Sequence, residues 1–349
     1  MKKLLSVLLA VTMMATVLAG CGAKKDEPAA PAASQPAASQ PAASAPASAE
    51  EVDTNTVAVG AIVLARDDIA EDEIYTFVST IFENLDAITA QHAKGAELSL
   101  EYASSMTSVP YHPGAAKYFK EKGFEVASVK EGAGTGAARG SLTFGTGGES
   151  GTYYAFGGVL GAYVSNNTNL SITTVTSGGS AVNIDDMTAD NVQLAFCQSD
   201  VMSYAYNGER LFDAPVEGFS VVAALYMEAV QIVTNNPDIK TVADLAGKKV
   251  SVGAAGSGTY FNAIDALEIY GLSENDISPV YQSFGDSTES LKDGKIDAAF
   301  VVAGAPTTSI VDLATATDVY LVSFDQEHAD SLMAASPYYS NYVIPAGTY

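Results

Sequence analysis

Residues 141–154 read SLTFGTGGESGTYY, and residues 249–261 read KVSVGAAGSGTYF. Each stretch opens on a short apolar run, turns through glycines, and passes Ser-Gly-Thr-Tyr plus an aromatic residue. Each then enters a helical pattern, through Tyr163 in the first copy and Tyr270 in the second. An apolar strand pattern follows each helix, Asn191 to Phe196 and Lys295 to Phe300. Strand, glycine turn, helix, strand is a βαβ unit. Two such units predict two α/β lobes facing each other.

The turns carry the chemistry. A glycine-rich turn between a strand and a helix exposes backbone N–H groups at the helix start, where the helix dipole attracts an anion such as a carboxylate. One turn alone is as readily explained by tight turning. Two matching copies point to a ligand gripped from both sides, with hydroxyls from Thr152, Ser257 and Thr259 able to donate or accept. A third strand-to-helix turn, 174–183, places Ser180 where it can cap the following helix, and Gln198-Ser199-Asp200 ends a strand with Asp200 as a candidate N-cap. Ligands in open α/β sheets sit at the carboxyl ends of strands, where all these polar groups fall.

Neither turn is a nucleotide motif. Gly145-x-Gly147 lacks its third glycine, Phe261 stands where Gly256-x-Gly258 would need one, and Gly247-Lys248-Lys249 has no P-loop spacing. Catalysis finds little to work with. His92, His112 and His328 share no metal-ligand spacing, no G-x-S-x-G elbow occurs, and the carboxylates single out no acid–base pair. His112, in Tyr111-His112-Pro113-Gly114, reads best as a turn or packing residue. Arg66, Arg139 and Arg210 are the only arginines, and none is signalled as a ligand clamp. No enzymatic activity, metal or cofactor is expected.

The chain has 349 residues and a formal net charge of −24, which makes nucleic-acid binding improbable because phosphate contacts need clustered Lys and Arg. Met1-Lys2-Lys3, an apolar run from Leu4 to Leu18, and Leu18-Ala19-Gly20-Cys21 read as a lipoprotein signal peptide over 1–20, with Cys21 as the lipidated residue. Residues 21–51, rich in Ala, Pro, Ser and Gln, cannot build a core and read as a flexible tether. Cys197, in an apolar run, reads as a small buried hydrophobe. Residues 127–140, containing EGAGTGAARG, look like a linker dividing 52–126 from 141–349.

Several stretches together resemble the TAXI family, the solute receptors of tripartite ATP-independent (TRAP) transporters. They are FGTGGESGTYYAFGG (144–158), TSGGSAVNIDDM (176–187), QLAFCQSDV (193–201), ADLAGKKVSVGAAGSGTY (243–260), DGKIDAAFVVAGAP (293–306) and PAGTY (345–349). The resemblance implies a two-lobed α/β fold of the type II periplasmic-binding-protein (Venus-flytrap) class. It also implies an extracytoplasmic, lipid-anchored receptor that hands a small carboxylate or amino acid, glutamate among them, to TRAP membrane permease subunits. By resemblance, Gly148, Tyr153, Ser180, Asn183, Gln198, Ser257, Gly258, Thr259 and Gly304 line the ligand site, with Tyr153 or Tyr260 packing on the ligand. Block 52–126 looks like the segment that normally follows PAGTY, so the order resembles a circular permutation. The expected first lobe comprises 52–126, 141–234 and 322–349, and the second 235–321. The competing readings are an adhesive or immunogenic surface lipoprotein without a transported ligand, and an enzyme on the same scaffold.

Overall fold

The computed structural model describes residues 52–349. The signal peptide, the tether and Cys21 lie outside the described residues. Among those residues no helix is long and apolar enough to cross a membrane.

The architecture is set by two unusually long apolar strands. β1 (Thr54–Arg66) and β5 (Phe219–Thr234) run for 13 and 16 residues, and both are buried along almost their whole length. A typical strand has about 5–6 residues, and a continuous apolar run rather than an alternating one marks a strand covered on both faces. The two pair with each other antiparallel. β2 (Ser141–Gly145), β3 (Ser171–Val175) and β4 (Leu194–Gln198) form a parallel group against one end of this pair. β6 (Lys249–Ser251), β7 (Ser278–Val280) and β8 (Ala298–Ala303) form a second parallel group against the other. The full order is β3-β2-β4-β1-β5-β8-β6-β7, with β9 (Tyr320–Leu321) on β5 and β10 (Ser340–Ile344) on β1. This is a mixed α/β fold of two lobes, each built on a parallel group of strands and joined by the β1–β5 pair.

Each lobe has its own core, and β1 feeds both. Ala61 to Ala65 sit with Phe77, Phe119, Phe144, Phe156 and Phe196 in the first, whereas Val57 and Val59 sit with Val250, Phe300 and Phe324 in the second. Most of 52–126 therefore packs with 141–226. The last segment differs from the expectation. Val322, Phe324, Ala329, Leu332 and Tyr339 belong to the second core, not the first. The reason is register: β10 pairs with Thr54–Ala58, the part of β1 that lies in the second lobe. Ala346 N also donates to Asp53 Oδ1 at 2.9 Å, so the PAGTY end lies beside the start of block 52–126.

Residues 127–140 are bonded down along the first lobe. Tyr111 N donates to Ser128 O (2.9 Å), Gly134 N to Asp67 O (2.8 Å), and Arg139 N and Gly140 N to Glu73 Oε1 (2.8 and 2.6 Å). His112 is fully buried, with Nε2 at 3.1 Å from Ile69 O and Nδ1 accepting from Gly114 N at 3.2 Å. Burial pushes its pKa down to about 4, which marks a neutral packing residue.

Candidate ligand-binding site

Four helices begin at one cavity between the lobes. Thr152–Asn167 and Ser180–Thr188 come from the first lobe, Gly258–Ile269 and Phe284–Lys292 from the second. Each start leaves backbone N–H groups without helical partners. Ser257 and Ser283 cap the second-lobe helices, their hydroxyls accepting from Tyr260 N (3.3 Å) and Asp286 N (3.2 Å). The first-lobe helices start at Gly151 and Gly179 with no side-chain cap. The Thr152–Asn167 start keeps its N–H groups for a ligand, whereas at the Ser180–Thr188 start Ala181 N and Val182 N donate to Gly256 O across the cleft (3.1 and 3.4 Å). Gly179 has φ +105°, a conformation other residues enter only under strain.

The cavity measures about 80 Å³ and is lined by both Ser-Gly-Thr-Tyr turns. Of the residues expected there, Gly148, Tyr153, Ser180, Gln198, Ser257, Gly258 and Thr259 line it. Asn183 does not. Its amide nitrogen donates to Thr146 O (2.7 Å) and Phe196 O (2.8 Å), and its Oδ1 faces Gly145, so it ties the glycine turn to β4. Gly304 lies just behind the lining, its carbonyl accepting from Thr152 Oγ1 at 3.0 Å. Ser180 Oγ accepts from Gln198 N at 3.1 Å, so its hydroxyl joins the helix start to the end of β4 instead of capping. Tyr260 is turned away from the cavity toward Tyr281.

The residue missed in the sequence is Glu228, the one carboxylate among the lining residues, which include no Lys, Arg or His. It sits in β5 with 2% of its surface exposed, and Tyr153 Oη donates to its Oε2 at 2.6 Å. Burial pushes the Glu228 pKa up to about 8, against the Tyr153 and Gln198 hydrogen bonds and the charge of Lys94, which pull it down. Tyr153 stacks on Phe196, ring centroids 4.5 Å apart, which fixes its hydroxyl over Glu228. Gln198 Oε1 is buried without a partner. Cys197 is buried beneath and its thiol pKa is raised by burial, so it is no nucleophile.

The lobes touch around the cavity. Ala181 N donates to Gly256 O at 3.1 Å, and Ser309 N to Ser150 O at 3.3 Å. Gly258 lies so close to Gln198 that an added Cβ would fall 1.8 Å from Oε1. This is a shut cleft. Among the described residues no group of three or more His, Cys, Asp or Glu could hold a metal ion.

Similarity to solved structures is loose. The alkanesulfonate-binding protein SsuA from Xanthomonas axonopodis pv. citri matches at 18% identity over 54% of this chain and 61% of that one, TM-score 0.38. The aliphatic sulphonate binding protein SsuA from Escherichia coli matches at 20% identity over 52% and 60%, TM-score 0.34. An ancestral arginine-binding protein matches at 15% identity over 53% and 79%, TM-score 0.38. The chain thus spans about six-tenths of the length of the two sulfonate-binding structures. A family model covers far more: the NMT1-like family matches residues 26–123 and 144–349, leaving out little beyond the first 25 residues and the segment joining the two sequence blocks. The chain belongs to the NMT1-like family.

Proposed function

We propose that the protein is an extracytoplasmic solute-binding receptor that closes on a small carboxylate or amino acid and passes it to the permease of a TRAP-type secondary transporter. One observation carries this reading: two Ser-Gly-Thr-Tyr turns, one from each lobe, meet at one shut cavity where four helices begin. A helix start stabilises an anion by roughly 0.3–1 kcal/mol when exposed and about 2 kcal/mol when partly buried. A carboxylate placed there accepts N–H bonds from both lobes, and only the closed form supplies both sets. Glu228 and Gln198 Oε1 offer acceptors for a donor on the same ligand. The lining holds no catalytic constellation, which favours capture over chemistry. Lipidation at Cys21 would hold the receptor at the membrane.

The segment order departs from that of the TAXI receptors as a circular permutation would, a reading supported by the contact between Ala346 and Asp53. The competing reading, a surface lipoprotein with no transported ligand, predicts an empty cleft. Native mass spectrometry of freshly purified protein should show a co-purified small acid. Calorimetry of stripped protein against L-glutamate and a panel of small mono- and dicarboxylates should show saturable binding. A folded protein that carries no small molecule and binds none of the panel refutes the receptor reading.

A further inference from the structure

Outside the cavity a second polar cluster joins the lobes. Helix Ser199–Asn207 and the residues after it belong to the first lobe; helix Gly258–Ile269 and Tyr339 belong to the second. Asn262 Nδ2 donates to Asp200 Oδ2 at 2.9 Å and to Tyr339 Oη at 2.8 Å. Tyr339 Oη donates in turn to Asp265 Oδ2 at 2.8 Å, and Arg210 pairs with the other oxygen of Asp265. Phe261, on the same helix, enters the first core beside Tyr204, with ring centroids 5.8 Å apart. The Asp200–Asn262, Arg210–Asp265 and Phe261–Tyr204 contacts cross from lobe to lobe, so they exist only while the two helices are packed together.

The cluster is short of hydrogen. Asp200 Oδ1 and Asn262 Oδ1 are both buried without a partner, and both are acceptors. Asp200 is fully buried. The groups that bear on its charge are the Val201 N–H beside it, which favours the charged form, Asn262, Tyr339 and Asp265 from the second lobe, Tyr204 on its own side, Cys197 from β4 and Glu228 from β5. Two of these are carboxylic acids. Arg210 is the cluster's one cation, and it is taken by Asp265. A buried carboxylate oxygen left unpaired keeps its full desolvation penalty with no hydrogen bond to offset it. A proton on Asp200 turns one orphan acceptor into a donor and removes the repulsion from Asp265 and Glu228.

We propose that Asp200 is protonated when the two helices are packed, so that the Asp200–Asn262–Tyr339–Asp265–Arg210 cluster is a latch between the lobes that tightens in acid and loosens in alkali. Burial pushes the Asp200 pKa up to about 7. With the lobes apart and water admitted, the carboxyl returns to the ordinary range near 4. The packed-state value is the higher one. The stabilisation is therefore complete below the ordinary carboxylate range and lost as pH rises through about 7. Between pH 6 and pH 8.5 the packed-to-separated ratio falls about tenfold. These are positioning residues: they act on the cavity through lobe closure and do not line it.

The test needs no ligand, so its failure is separate from failure of the receptor reading. Amide exchange of the helix Gly258–Ile269 is followed in the full chain at pH 6 and 8.5, after correction for intrinsic exchange. The wild type should open about tenfold more at pH 8.5, and Asp200→Asn should show no such slope. Asp265→Asn should weaken protection at both pH values and reduce the slope without abolishing it, because burial, the larger cause of the raised Asp200 pKa, remains. A wild type without the slope, or an Asp200→Asn variant that retains it, overturns the proposal. Should Asp200→Asn fail to fold, carbon-detected titration of aspartate-labelled wild type decides: an Asp200 carboxyl titrating near 4 also overturns it.

Discussion

Replacing Gly258 by Ala puts a methyl group where the opposite lobe already stands. The new Cβ would lie 1.8 Å from Gln198 Oε1, 2.4 Å from Gln198 Cδ and 2.9 Å from Ser180 Oγ. Ser180 cannot easily retreat, because its hydroxyl accepts from Gln198 N. Either the lobes stop more than 1 Å short of full closure, by the rough measure of van der Waals contact, or Gln198 swings out of the lining. Overpacking of this kind costs about 1–3 kcal/mol, which is roughly 5- to 150-fold in affinity. The penalty falls on the closed form alone. Gly258 is the first residue of a helix with ordinary backbone angles, so Ala there adds no strain once the lobes are apart and favours the helix slightly. Calorimetry with the co-purified ligand, or L-glutamate, should therefore show weaker binding. Gly158→Ala, in the helix Thr152–Asn167 with open space around it, should leave affinity unchanged. In a Gln198→Ala background the cost of Gly258→Ala should shrink, giving a coupling energy between the two sites. Binding by Gly258→Ala within twofold of wild type would refute closure across this contact.

Glu228 has its pKa raised to about 8 by burial, so the stability it confers is complete in acid and lost as pH rises through 8. The melting temperature should fall between pH 6.5 and 9, and Glu228→Gln should flatten that fall in scanning fluorimetry. Gly114→Ala drives a Cβ to 2.2 Å from the Glu71 carbonyl where two helices cross. Urea unfolding should register a loss of about 3 kcal/mol. Once trypsin has cut the segment 127–140, at Lys130 or Arg139, the fragments should still co-elute without denaturant, because block 52–126 shares a core with 141–226. Fragments that separate in plain buffer would show that the block is only loosely docked.

The two turns were legible because strand, glycine and helix each leave a local mark on the sequence, and the marks appear twice in the same order. Glu228 was not, although one acid within the apolar run FSVVAALYMEAVQIVT hints at it. Its role depends on Tyr153, 75 positions earlier, folding over it, and no spacing rule reports such a contact. Asn183 shows the opposite error. An amide at a strand-to-helix turn looks free to meet a ligand until the structure shows Thr146 and Phe196 already holding it. The placement of 322–349 hinged on register. A five-residue strand pattern says that β10 exists but not which stretch of β1 it will join. The polar cluster around Asp200 was half visible, as a candidate cap, because its other members come from a different lobe.

β1 and β5 slip out of simple register twice, at Ala61/Ile62 and at Val63/Leu64, close to where the ribbon leaves one core for the other. A bulge sharpens local twist and gives up part of the ladder, so a ribbon flexes there before it flexes elsewhere. Flexure at that place has a defined axis, because the two strands are joined edge to edge and cannot rotate independently. The ribbon is thereby built like a leaf spring whose soft spot is these two slips, and Glu228, opposite Val59, lies just past them.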